Sequence, residues 1–125
     1  MLAVGELVLA TVDPMTVRAA TGFGGGVGST RQELCGAFTG GILLLGLLHG
    51  RATSHEDDTH CLELVRRWRA VFLQEFGTTL CQPIYDRAHA PDGPGTCAWV
   101  GDRAASALFT LLSASAVPDS GGGKA

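Results

Sequence analysis

Five of the seven residues from Gly22 to Gly28 are glycine. No regular element survives that density, since each interior glycine costs a helix roughly 1 kcal/mol relative to alanine. The run Gly22-Phe23-Gly24-Gly25-Gly26-Val27-Gly28 therefore reads as a tight bend where backbone comes close to backbone or to another group. A helix is expected to follow it. Ser29 with Gln32, and Thr30 with Glu33, match the capping box that opens a helix. Leu34, Phe38, Ile42, Leu45 and His49 then recur at helical spacing. On this reading the central helix runs from those caps to Leu48 or His49, with Cys35 about a turn and a half inside it. Gly36 and Gly40 lie four apart on another face of this helix, where missing side chains let a second helix or a bound group approach.

The remaining segments are helical as well. Met1 to Thr11 is apolar apart from Glu6 and reads as a helix, although β-branched Val4 and Val8 leave a strand open. Asp13-Pro14 combines a capping acceptor with a proline at the first helical position, opening a short helix to about Ala20. Gly50 to Thr59 is a polar loop. After it Cys61, Val65, Trp68, Phe72 and Phe76 form an apolar stripe that Gly77 should terminate. Thr79 with Gln82 is another capping-box match, with Cys81 in the first turn of a helix to Ala88. Ala90 to Gly95 is a turn cluster. Thr96 caps a last helix from Cys97 to about Ala116, ended by Pro118. The fold class expected is all-α, a compact bundle of about five helices with a Gly-rich loop before the central one. Residues 1–117 would form a single domain and 118–125 a flexible tail.

A chain of 125 residues can bury a core without disulfide staples, so its four cysteines need not be structural. Nine basic and twelve acidic residues leave a net charge of −3 with no cationic stripe, which argues against nucleic-acid binding. Arg66, Arg67 and Arg69 read as a solvated helix face. Leu34 to Leu48 is apolar but only fifteen residues long and broken by glycines, too short for a membrane span. No export signal is read at the N-terminus, so a cytoplasmic location is expected, where cysteines serve more often as reactive thiols, ligands or core residues than as permanent bridges.

Cys81 and Cys97 fall in expected first turns of helices, where free N–H groups and the helix dipole favour a thiolate. Cys35 follows the glycine bend directly. No close Cys-x-x-Cys pair is present, so a shared redox or metal site would require these three to converge from separate helices; ordinary burial of small residues is the competing reading. Cys61 lies on the Trp68 stripe and reads as core, and neighbouring His60 points about 100° away from it, so no histidine metal site is assigned. The glycine bend lacks the Lys-Ser or Lys-Thr of a phosphate loop. A structural turn, or a backbone nest beside the cysteines made by Gly24, Gly25, Gly26 and Gly36, fits better. No acid–base or Ser-His constellation is recognisable.

The run from Gly22 to Gly28, then Cys35-Gly36-Ala37-Phe38-Thr39-Gly40-Gly41 and Gly46-Leu47-Leu48-His49-Gly50, together with Phe76-Gly77, Cys81 and Cys97, resembles the C_GCAxxG_C_C family. The resemblance implies a small helical redox protein. It makes Cys35, Cys81 and Cys97 the candidate catalytic thiols or metal ligands, with an iron-sulfur cluster or another thiolate-bound metal as the cofactor to consider. Its partners would be a redox protein or a second copy of the chain. Leu2 stands where the family pattern places an early cysteine. Iron-sulfur electron transfer and thiol-disulfide exchange are the two redox roles the resemblance allows. A helical interaction module with structural cysteines is the alternative.

Overall fold

The computed structural model describes Gly5 and residues 11–122, without the side chains of residues 116–122. The expected helix over Met1 to Thr11 thus lies almost wholly outside the described residues. Among residues 11–122 the fold has five α-helices, α1 (Pro14–Ala20), α2 (Gly36–His49), α3 (Thr59–Phe76), α4 (Cys81–Ala88) and α5 (Ala98–Gly122), with a short 3-10 turn at Thr21–Phe23. The all-α expectation holds, with no strand among the described residues.

Local signals explain several boundaries. Asp13 Oδ1 accepts a hydrogen bond from the Met15 N–H at 2.9 Å, with Pro14 next in line, as a capped start requires. Gly77 closes α3 in the left-handed region at φ 78°, and its N–H bonds to the Leu73 carbonyl.

The start of α2 is corrected. It begins at Gly36, not at Ser29 or Thr30, because Val27, Ser29 and Arg31 all have positive φ (69°, 60° and 61°) and cannot continue a right-handed helix. Thr30 Oγ1 donates back to the Gly26 and Val27 carbonyls, so it ties down the bend and does not open a helix. The Thr79–Gln82 capping box is also not formed. The Leu80 N–H bonds to Thr78 Oγ1, and the Thr79 carbonyl accepts from the Cys35 N–H. Finally, α5 continues past Ala116 through Pro118 to Gly122; proline removes one N–H donor, yet its fixed φ of about −65° is helical.

α2 runs through the middle, packed on α3 and α5. Trp68 and Phe72 of α3 and Leu44 and Leu45 of α2 are completely buried. Gly41 makes the α2–α3 approach close: a Cβ there would stand 2.6 Å from Cε2 of Trp68. The indole lies flat in the space the glycine leaves, and its Nε1–H donates to the Phe38 carbonyl at 3.1 Å. Arg66, Arg67 and Arg69 are exposed on the opposite face of α3, as expected. No described helix is long and apolar enough to cross a membrane.

Candidate functional site

Two chain segments distant in sequence meet at one β-bridge. Leu34 and Leu80 pair antiparallel; the Cys35 N–H donates to the Thr79 carbonyl at 2.8 Å and the Cys81 N–H to the Glu33 carbonyl at 2.9 Å. Each chain then turns at once into a helix. Cys35 becomes the N-cap of α2 and Cys81 the first residue of α4. The bridge therefore brings Cys35 and Cys81 together from segments distant in the sequence, one on each side of the pairing.

Cys97 approaches from a third helix. Its carbonyl accepts from Val100 and Gly101 N–H, which places it at the N-cap of α5, while Thr96 Oγ1 accepts from the Ala98 N–H one position earlier than an N-cap would. All three thiols line one cavity of about 250 Å³, which is shared with Gly25, Gly36, Ala37, Ile84, Tyr85, Val100 and Gly101. Three helix N-termini, each delivering a cysteine, thus converge on a mainly apolar chamber. Cys35 and Cys81 are buried and Cys97 is exposed, so the chamber has two inner thiols and one at its rim.

Cys35 is the N-cap residue of α2, and is not inside it as the sequence reading placed it, so its thiol stands beside the Ala37 and Phe38 amides of the first turn. Burial pushes the Cys35 thiol up from the ordinary 9.0; the Ala37 and Phe38 amides pull it down less strongly, and Cys97 pushes it up. Cys81 is likewise raised from 9.0, first by burial and then by its neighbours Cys35 and Cys97, with Arg31 acting in the opposite sense. Both inner cysteines therefore rest as neutral thiols at neutral pH, and none of the four cysteines is bridged.

The glycine bend is the wall behind these thiols. Gly26 is buried at φ 72°, and a Cβ there would stand 2.6 Å from Cβ of Cys81 and 2.7 Å from Cα of Arg31. Gly36 has the Phe23 carbonyl 3.3 Å and Gly24 Cα 3.7 Å from where its side chain would be, so the bend lies against the first turn of α2. Of the four glycines read as a nest, Gly25 and Gly36 line the cavity directly, while Gly24 and Gly26 back it.

The sequence reading missed two residues here. Tyr85 lies one turn after Cys81 and lines the cavity; that i,i+4 spacing was the available signal. Arg31 has no such signal, because only the left-handed turn brings its guanidinium over the Tyr85 ring, 4.3 Å from the centroid. Cys61 is elsewhere, as expected: buried in the core, with its Sγ 3.8 Å from the Leu45 carbonyl oxygen. His49 and His60 stack edge to face at 4.8 Å, away from the cavity residues.

The family model described as “Putative redox-active protein (C_GCAxxG_C_C)” matches residues 1–109. The chain belongs to the C_GCAxxG_C_C family. No curated protein and no solved structure matches it. Membership makes this a cysteine protein of a putative redox-active class, and the matched range of this C_GCAxxG_C_C chain contains all three cysteines that share the cavity. Among the described residues no group of three His, Cys, Asp or Glu side chains is placed to hold one metal ion.

Proposed function

We propose that this protein carries out thiol-disulfide exchange through Cys97 and one of the two inner thiols, Cys35 or Cys81. The observation that carries the reading is the chamber itself, where one exposed and two buried thiols meet at three helix N-termini. Exchange needs an accessible attacking sulfur and a second sulfur close behind it. Cys97 supplies the first. Its thiolate attacks one sulfur of a substrate disulfide, that S–S bond breaks, and a mixed disulfide forms on Cys97. The departing substrate thiolate takes up the proton that Cys97 gave up. An inner thiol then attacks Cys97 Sγ, loses its own proton to the second departing sulfur, and leaves the protein with an internal disulfide. Two electrons and two protons pass to the substrate. Run backwards, the same steps oxidise a dithiol.

Cys97 enters the scheme as the attacking sulfur because it alone of the three cavity cysteines is exposed.

The test is anaerobic purification followed by iron and sulfide analysis, a visible spectrum, and thiol counting before and after mild oxidation. Exchange chemistry requires reversible loss of two thiols, with peptide mass spectrometry placing Cys97 in the bond and Cys61 outside it. Stoichiometric iron with acid-labile sulfide, or three inert thiols, would overturn the proposal.

A further inference from the structure

The cavity lining contains no carboxylate, and one of its walls, Tyr85, carries the guanidinium of Arg31 on its ring. That arginine is expensive to place. Arg31 is half-buried and sits at φ 61°, a conformation costing a non-glycine residue on the order of 1 kcal/mol or more. Its N–H bonds to the Gly25 carbonyl at 2.9 Å, fixing the turn, and its guanidinium lies on Tyr85, which lines the cavity. The vacant Cβ position of Gly26 is 2.7 Å from Arg31 Cα and 2.6 Å from Cys81 Cβ, so these two residues are immediate neighbours. Arg31 has no carboxylate partner among the ion pairs of the described residues.

We propose that Arg31 makes the cavity selective for small anionic thiols and disulfides, taking the carboxylate of the substrate on its guanidinium while the substrate's sulfur reaches the cavity cysteines. The geometry suits such a ligand. A planar cation held over an aromatic ring keeps its outer N–H edge for a carboxylate, while a space of about 250 Å³ walled by Ala37, Ile84 and Val100 accepts a short apolar thiol arm. The substrate class rests on the exchange role above; the charge selection at the cysteines does not.

Two measurements separate the two claims. The first compares alkylation by iodoacetate, an anion, with alkylation by neutral iodoacetamide, resolved for each cysteine by peptide mass. The ratio cancels differences in thiol exposure and ionisation. For a partly exposed cation at this range, Arg31→Gln should lower the ratio at Cys81 about three- to five-fold. Arg31→Lys should keep most of it. Arg67→Gln on the exposed face of α3 makes the same change in net charge and should leave the ratio unchanged. The second measurement follows thiol release from an anionic, a neutral and a cationic small disulfide. The wild-type order should be anionic, neutral, cationic, and Arg31→Gln should level it. An equal ratio in wild type and Arg31→Gln, or an equal fall in Arg67→Gln, overturns the selector. A fall in the ratio with no turnover of any disulfide upholds the selector and overturns the exchange role.

Discussion

Gly26 and Gly28 share the left-handed backbone, at φ 72° and 61°, but not the surroundings. Alanine at Gly28 meets no described atom within 4 Å, so its cost is conformational alone, roughly 1–2 kcal/mol. Alanine at Gly26 carries that same cost and in addition presses on Cys81 Cβ at 2.6 Å, Arg31 Cα at 2.7 Å and Cys81 Sγ at 3.0 Å. Two of those atoms belong to backbone or to its first side-chain carbon and cannot swing away, so overpacking adds about 1–3 kcal/mol. Both substitutions restrict the unfolded chain equally, and that effect cancels in their difference. Urea unfolding of the two variants under reducing conditions should therefore separate them by about 1–3 kcal/mol. Gly26→Ala should also change the alkylation rate of Cys81, which Gly28→Ala should leave as it is. Equal destabilisation by the two, with unaltered Cys81 reactivity, would refute the idea that the glycine bend is the wall holding this thiol.

Trp68→Phe should destabilise the fold by about 1–3 kcal/mol, because a completely buried indole loses ring volume and its hydrogen bond to the Phe38 carbonyl; chemical denaturation measures it. Gly41→Ala should be comparably damaging, since its Cβ would fall within the indole, and near-ultraviolet circular dichroism of the tryptophan band should report the displacement. Cys35 and Cys81 have raised folded-state pKa values, so the folded protein retains protons that the unfolded chain has lost above about pH 9. Their contribution to stability is intact below pH 9.0 and falls as pH rises beyond it, a loss that Cys35→Ser should reduce in a pH series of unfolding midpoints. Alkylation of the same two thiols should still be climbing with pH above 9.0.

Much of the frame was readable in the residues. Asp13-Pro14, the Trp68 stripe and Gly77 fix their helix limits through local hydrogen bonding and side-chain periodicity, and these agree with the structure. The capping boxes at Ser29, Thr30 and Thr79 do not form, because a capping pattern opens a helix only where the backbone after it is free to turn right-handed, and the surroundings decide that. At Thr30 the left-handed turns on either side chose the bend, and at Thr79 the carbonyl was claimed by Cys35 across the bridge.

The sequence alone determined a helical chain with a glycine bend, two cysteines at helix starts and a third soon after the bend, because caps, spacing and glycine's freedom act over a few neighbouring residues. Only the tertiary structure decided that those thiols share a chamber and that Arg31 stands at its edge. The bridge between Leu34 and Leu80 joins segments 46 positions apart, and a pairing of two hydrogen bonds at that separation leaves no periodic trace in either segment.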